Sequence, residues 1–354
     1  MGRGNAHIKL RQGTGLTEKL IKGKRMITLN PNDFAIVSGR KNPDLVSHVA
    51  EQLGVKPVFI STGNWPNGYP RCVRPSDVTV NDRKVFIITS LQYNQIGSPV
   101  EELKLLCKAC GSAREIHLII TWFCGKDDAE HSAGHVPNAP VLCNDISKFP
   151  GVKSIAIFDP HQSSHAGYFA PVRTRRFYFL RKLIERAKLM GIDQVASTDF
   201  SSGKRALIVE SFLQTGADVF MGIKGHDHNS QNSPINHQSL RGSLQGKKIG
   251  LFDDMALTCG SMNGSARILK EQYGAEEVHF FAAHFDPAGQ AYENLKTALT
   301  SGWINTFNTT NSNPIEQKYL DLEGFHVVHV AGFVADVINS ILAGHSTSNY
   351  FDDI

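Results

Sequence analysis

An alternation governs what this chain can become. Short, nearly unbroken apolar runs rich in β-branched and aromatic residues lie at 34–37, 85–89, 116–121, 154–158, 218–223, 248–252 and 326–330. Between them fall stretches of helical periodicity at 43–53, 101–112, 176–190, 204–215 and 261–273. Successive side chains of a strand point to opposite faces, so a strand that is apolar throughout needs cover on both sides. Apolar strands alternating with helices therefore predict an α/β protein with two parallel sheets, each sandwiched by helices.

At 354 residues the chain has room for two ordinary domains. No apolar run approaches the ~18 residues that a membrane span requires, so a membrane is not an expected partner; nucleic acid is not an expected partner either. The net charge is only +4. Part of that excess sits near the start, where Arg3, Lys9, Arg11, Lys19, Lys22, Lys24 and Arg25 face one acid, Glu18. The readings that fit this segment are a basic arm for nucleic acid or a targeting segment, and a solvated, poorly ordered extension. It lacks the apolar core of a secretory signal, and Ala6 breaks the myristoylation pattern after Gly2, so the expected address is cytoplasmic.

The cysteines at 72, 107, 110, 124, 143 and 259 form no regular framework and are expected as reduced thiols. Cys107 and Cys110 make a CxxC, but inside a predicted helix and with no second CxxC, which favours buried helix thiols over zinc. The stretch 225–246 is almost devoid of apolar residues and reads as a mobile loop, either a lid over a site or an inert excursion. A second polar stretch, 125–138, carries Asp127, Asp128, His131 and His135.

The sharpest chemical signal is FDDMALTCGSM, 252–262, at the junction of a strand and a helix. Asp253 and Asp254 can accept hydrogen bonds from sugar hydroxyls, while the backbone amides of Thr258, Cys259, Gly260 and Ser261 lie where a helix start favours a phosphate. In open α/β sheets ligands bind beyond the carboxyl ends of strands, which is where this segment falls. An ordinary strand-to-helix turn with an acidic cap is the other reading.

The segment resembles the diphosphoribosyl-binding loop V-D-D-x-x-x-T-G-G-T of phosphoribosyltransferases and ribose-phosphate pyrophosphokinases. Both acids, Thr258 and Gly260 are kept; Cys259 and Ser261 replace a Gly and a Thr, and Leu257 stands where many relatives have a third acid. FDPHQSSHAGYF, 158–169, resembles the pyrophosphokinases' D-L-H-x-x-x-x-x-G-F-F and separates the two groups. IVSGRKNPDLVSHVAEQLG, 36–54, is similar to that family's first strand, loop and helix, and VAGFVADVINSILAGHSTSNYF, 330–351, follows its last helix and tail. GNWPNGYPRC, 63–72, resembles the adenine-binding F-x-D-G-[EF], with Trp65, Asn67 and Tyr69 in the informative places. STDFSSGKR, 197–205, resembles S-P-D-x-G-G, and GIKGHDH, 222–228, stands where the family has Lys-x-Arg.

The resemblance thus runs from about residue 34 to the end of the sequence, in matching order. It implies two phosphoribosyltransferase-like domains, each a central, mostly parallel sheet flanked by helices, and assembly into homo-oligomers. The expected division is a basic extension at 1–32, an ATP-binding domain of 33–176 plus 331–354, and a ribose-phosphate-binding domain of 177–330. The implied activity is diphosphoryl transfer from ATP to the anomeric hydroxyl of ribose 5-phosphate, giving 5-phosphoribosyl diphosphate and AMP. Family roles map as follows: His161 and Asp199 on Mg2+, Lys224 and His226 on the diphosphoryl group in flight, and Asp253, Asp254 and 258–261 on the ribose phosphate. Trp65, Asn67 and Tyr69 would meet adenine. Lys126 is the nearby positive charge where the family's Arg-Gln-Asp segment has no clean counterpart in TWFCGKDDAEHS, 121–132. Two other readings stay open: the same chemistry on a larger acceptor such as ADP-ribose, and a non-catalytic regulatory homologue.

Overall fold

The computed structural model describes residues 17–21, 24–93, 98–126, 133–224, 235–238 and 243–344, and side chains are not described at 17–29, 200–201, 223–224 and 235–238. In the first half of the chain the strands are β1 (Thr17–Ile21), β2 (Lys24–Leu29), β3 (Phe34–Ser38), β4 (Val58–Phe59), β5 (Ser61–Asn64), β6 (Pro70–Val73), β7 (Lys84–Ser90), β8 (Glu115–Trp122), β9 (Val152–Phe158) and β10 (Arg173–Phe177). The second half adds β11 (Gln194–Ser197), β12 (Met221–Lys224), β13 (Ile235–Gln238), β14 (Lys248–Ala256), β15 (Glu277–Phe285), β16 (Thr306–Thr310) and β17 (Phe325–Val328). The helices are α1 (Pro43–Leu53), α2 (Pro99–Ala109), α3 (Asn138–Ser147), α4 (His165–Tyr168), α5 (Leu180–Met190), α6 (Phe200–Leu213), α7 (Gly260–Glu271), α8 (Ala291–Thr300), α9 (Gln317–Leu320) and α10 (Ala331–Leu342).

Two parallel sheets carry the fold, one in the order β10-β9-β8-β7-β3-β4 and one in the order β11-β14-β15-β16-β17. Both faces of each are buried, as the unbroken apolar runs predict. On the first sheet Val85, Ile87, Leu118 and Ile120 pack under α2 and α3, while Phe86, Ile88 and Ile119 pack under α1 and α10. On the second, Ile249, Leu251 and Phe280 meet α7 and α8, and Phe252, Phe281 and Val195 meet α5 and α6. The last helix, α10, thus shares a core with α1 at the other end of the sequence.

Local signals explain the bounds of α1 and the start of α2. Helix α1 starts with Pro43 at its first position and stops at Gly54, whose left-handed φ of 70° returns its amide to the carbonyls of Ala50 and Glu51. Helix α2 is capped by the Ser98 side chain, which accepts from the Glu101 amide. Cys107 and Cys110 are buried thiols on α2 and its cap, as the sequence predicts.

Three expectations need correcting. The helix predicted over 176–190 begins only at Leu180, and Arg176 belongs to the edge strand β10. The segment expected as a poorly ordered extension contains an antiparallel hairpin, β1 with β2. The 225–246 loop is interrupted by β13, which pairs antiparallel with β12; its stretches 225–234 and 239–242 lie outside the described residues.

A buried polar seam joins the two sheets at their carboxyl ends. Ser90 Oγ donates to Asn313 Oδ1 at 2.5 Å, Thr121 Oγ1 to the Ser312 carbonyl at 2.8 Å, and Asn42 Nδ2 to the Asn311 carbonyl at 2.8 Å. Asp286 takes the Gln92 amide at 2.8 Å and the Trp122 indole N–H at 3.1 Å. His284 sits fully buried, with Nε2 on the Phe158 carbonyl at 3.1 Å and Nδ1 on Ser312 Oγ at 2.9 Å. A carbonyl can only accept, so Nε2 carries the hydrogen and Nδ1 accepts from the serine hydroxyl. The seam holds the carboxyl end of one sheet against that of the other, and the candidate site opens beside it.

Candidate active site

A cavity of about 310 Å³ lies between the strand ends. From the first sheet, Lys126 enters it beyond β8, and His161 and Gln162 beyond β9. From the second come Asp199, Ser202 and Arg205 at the start of α6, Asp253 and Asp254 of β14, and the turn through 255–262. Residues far apart in sequence thus converge because each follows the carboxyl end of a parallel strand.

The turn that delivers His161 is made by Asp159, whose φ of 39° is left-handed, a conformation that asparagine and aspartate tolerate best among residues with a Cβ. Asp159 is buried and accepts from the Phe179 amide at 2.5 Å. Burial pushes its carboxyl up to about 7 against the opposing pull of Arg205.

On the other side, Asp199 caps α6 through a capping box: its Oδ1 accepts from the Ser202 amide at 2.9 Å, and Ser202 Oγ accepts from the Asp199 amide at 3.1 Å. The helix so started carries Ser202 and Arg205 on one face, three residues apart. Arg205 reaches Asp254, Nη1 to Oδ1 at 3.4 Å. Burial works against its charge, but Asp254, Asp253 and Asp159 surround it and hold it protonated.

The acidic pair is asymmetric. Asp254 is 4% exposed and meets His161 Nδ1 through Oδ2 at 2.6 Å, while its Oδ1 also accepts from the Met255 amide at 3.0 Å. Burial opposes its ionisation, yet Arg205 and His161 outweigh burial and hold its carboxyl far below the usual range. Asp253 is half-buried and accepts from Thr198 Oγ1 at 2.6 Å and from the Asp254 amide at 2.9 Å. Burial, then the neighbouring Asp254 charge, raise its carboxyl well above the usual range.

Beyond the pair, the chain turns through Thr258 into α7. Cys259, the N-cap, has a φ of 59°, which costs a side-chain-bearing residue roughly 1 kcal/mol and accounts for the glycine in the family pattern. The turn is braced by Asn294, which donates to the Thr258 carbonyl at 2.8 Å, and by the Ala288 amide on Leu257 O at 3.1 Å. The first amides of α7 lack partners within the helix, as at any helix start, an arrangement that favours an anion, although that of Gly260 also donates to Thr258 Oγ1 at 3.4 Å.

Of the residues singled out from sequence, the cavity brings together Lys126, His161, Asp199, Asp253, Asp254, Thr258, Cys259, Gly260 and Ser261. It does not bring in Trp65, Asn67 or Tyr69. These lie on the β5–β6 hairpin, where Trp65 is 51% and Tyr69 70% exposed and the Asn67 side chain caps the turn by accepting from the Tyr69 amide. Trp65 is therefore not a core residue, and Arg71 lies over its ring at 5.5 Å. The Lys224 side chain and all of His226, with Asp127, Asp128 and His131, lie outside the described residues. Arg205 is the functional candidate that motif matching passes over, although counting three and six residues along a helix from Asp199 finds Ser202 and Arg205.

Residues 34–146 match the family model for the N-terminal domain of ribose phosphate pyrophosphokinase. The chain is 28% identical to the ribose-phosphate pyrophosphokinase of Rhodopirellula baltica over 329 residues, covering 90% of this chain and 98% of the relative. It is 27% identical to the Streptomyces coelicolor ribose-phosphate pyrophosphokinase, covering 92% and 98%, and 25% identical to ribose-phosphate pyrophosphokinase 2 of Schizosaccharomyces pombe, covering 90% and 98%. In fold it matches the crystal structure of phosphoribosylpyrophosphate synthetase from Mycobacterium smegmatis with a TM-score of 0.76 and 21% identity, over 88% of this chain and 99% of that one. With the order of its strand-end segments, these likenesses make the chain similar to ribose-phosphate pyrophosphokinases over about nine-tenths of its length, and its fold matches that of a phosphoribosylpyrophosphate synthetase.

Proposed function

We propose that this protein transfers the β,γ-diphosphoryl group of ATP to the anomeric hydroxyl of ribose 5-phosphate, yielding 5-phosphoribosyl diphosphate and AMP. In this step the bond from the sugar oxygen to the β-phosphorus forms as the bond from that phosphorus to the oxygen of the α-phosphate breaks. The carrying observation is the cavity itself, in which His161 and Lys126 of one sheet face Asp199, Asp253 and the 258–261 turn of the other.

A magnesium ion fits the donor set. His161 and Asp199 line the same cavity, and magnesium held together with a polyphosphate needs only one or two protein ligands and keeps oxygen donors for the rest. Among the described residues no three histidine, cysteine or acidic side chains form a cage, which leaves the remaining positions to water and phosphate oxygens. When bound, the ion would neutralise charge on the phosphoryl oxygens. The chain's own residues do the rest. Lys126, with Lys224 and His226 from the 222–228 segment, supplies positive charge along the transferring group. Asp253 accepts from the ribose, and the amides of 258–261 receive the 5-phosphate.

Trp65, Asn67 and Tyr69 remain the proposed adenine site, supported by their exposed aromatic faces. Because they do not line this chain's cavity, the role fits a homo-oligomer in which a second copy supplies the hairpin. Among the described residues no helix is long and apolar enough to cross a membrane, and a cytoplasmic address is proposed.

AMP release measured with ribose 5-phosphate and then with ADP-ribose tests the reading: product with the first is expected. Product with ADP-ribose alone would favour a larger acceptor, for which Leu257 is the observation, since it lines the cavity where many relatives' loops carry an acid. No AMP with either would leave the regulatory reading.

A further inference from the structure

The adjacent acids Asp253 and Asp254 look interchangeable in sequence, and their surroundings separate them. Both lie within β14, where successive side chains leave opposite faces. Asp254 is the more deeply buried, and its oxygens are occupied by the chain: Oδ1 by Arg205 at 3.4 Å and the Met255 amide at 3.0 Å, Oδ2 by His161 Nδ1 at 2.6 Å. Among the described residues Asp253 accepts from Thr198 Oγ1 and the Asp254 amide, shares a side-chain hydrogen bond with Asp254, and is partly open to the cavity.

We propose that Asp254 is a positioning residue for His161 rather than a sugar ligand, with Arg205 and the Met255 amide fixing the carboxylate. The inference rests on the reading of His161 as the cation's ligand and of Asp253 as the acid on the ribose. Histidines that bind metal through one ring nitrogen generally donate the other N–H to a carboxylate, which fixes the tautomer and aims the ring. Here Nδ1–H donates to Oδ2, leaving the Nε2 lone pair for the cavity.

The arrangement makes an isosteric substitution informative. In Asp254→Asn, Arg205 and the Met255 amide both donate at the Oδ1 position, so they select the amide oxygen there. The NH2 group then faces His161 Nδ1 and donates to it, driving the ring to the Nε2–H tautomer and removing the lone pair.

The test begins with the metal-free protein. Two-bond 1H–15N spectra of 15N-histidine-labelled wild type, at about pH 8 where an ordinary imidazole is neutral, read the tautomer of His161, assigned by its loss in His161→Gln. Nδ1–H is expected in wild type and Nε2–H in Asp254→Asn. Affinity for Mn2+ with α,β-methylene-ATP, read by electron paramagnetic resonance, should fall about 10- to 100-fold in Asp254→Asn, with ribose 5-phosphate affinity nearly unchanged. Asp253→Asn should do the reverse. An Nε2–H ring in wild type overturns the proposal even if Asp254→Asn fails to fold. So do equal losses of ribose 5-phosphate affinity in the two variants with Mn2+ binding intact. Absence of AMP release from wild type would instead refute the proposed function and leave the tautomer result standing.

Discussion

The two sheets are built on the same foot and differ at the other end. In the first, Lys84 at the start of β7 pairs with Glu115 of β8 at 3.6 Å; Glu115 meets His117 Nε2 at 3.2 Å, and His117 Nδ1 meets Ser154 of β9 at 2.7 Å. In the second, Lys248 of β14 pairs with Glu277 of β15 at 3.1 Å; Glu277 meets His279 Nε2 at 2.8 Å, and His279 Nδ1 meets Thr306 of β16 at 2.9 Å. The registers agree as well, Lys84 opposite Glu115 and Lys248 opposite Glu277. Counting from these paired residues, Trp122 corresponds to His284, and those two rings meet at 4.4 Å in the seam. Thr89 and Ser90 correspond to Asp253 and Asp254. Related scaffolds therefore present different chemistry at matched positions: buried hydroxyls in one, with Ser90 in the seam, and carboxylates lining the cavity in the other.

The largest expected effect breaks this correspondence at its upper end. Asp253→Asn should lower kcat/KM by about 10²- to 10³-fold, the scale on which removing one preorganised polar contact slows a transfer. The matched Thr89→Val keeps shape in a buried hydroxyl position and should change activity less than about threefold. Comparable losses in both would mean that the two strand ends share the chemistry.

Next comes the seam, where one member of the matched pair titrates and the other cannot. Burial pushes the His284 imidazole down to about 4, so the folded protein resists the proton that the unfolded chain takes up near the ordinary value of 6.5. Stability from this residue is complete above about pH 6.5 and is lost as pH falls toward 4, a change of about 3 kcal/mol. Asp159, raised to about 7, acts with the opposite sign over much of the same window, because its folded form holds the extra proton. Wild type should therefore be compared with His284→Gln by chemical denaturation across pH. The wild-type curve should lose about 3 kcal/mol relative to the variant, and parallel curves would contradict the assignment.

How far the sequence could be read follows the same division. The bounds of α1 were legible because Pro43 and Gly54 mark them locally, and the parallel sheets because buried strands carry unbroken apolar runs. Edge strand β10, with Arg173, Arg175 and Arg176, lacks that signal; apolar helical spacing resumes only with Leu180, Leu183, Ile184 and Ala187, so the start of α5 was misplaced. That His161, Asp199 and the acidic pair converge on one cavity was legible because each lies just beyond or at a strand's carboxyl end. Arg205 was not, since its role depends on a helix face meeting a neighbouring strand, and no local pattern reports that. Nor was the split between Asp253 and Asp254, which is set by which face of β14 each side chain leaves.

The smallest effects sharpen the comparison at the feet. His117→Ala and His279→Ala each remove two hydrogen bonds from a largely buried ring, and each should cost about 2 kcal/mol of stability. His117 also stacks on Phe86 at 4.9 Å, so its loss should exceed that of His279 by about 0.5–1.5 kcal/mol. Lys84→Met and Lys248→Met touch pairs with substantial solvent access and should each cost less than about 0.5 kcal/mol, fading in high salt. Losses of these sizes, read from denaturant midpoints with wild-type AMP release retained, would show the feet to be purely structural. If either histidine variant lowered turnover while keeping its stability, the foot of that sheet would have to be coupled to the cavity at its far end, and the separation between scaffold and chemistry would fail for that half of the molecule.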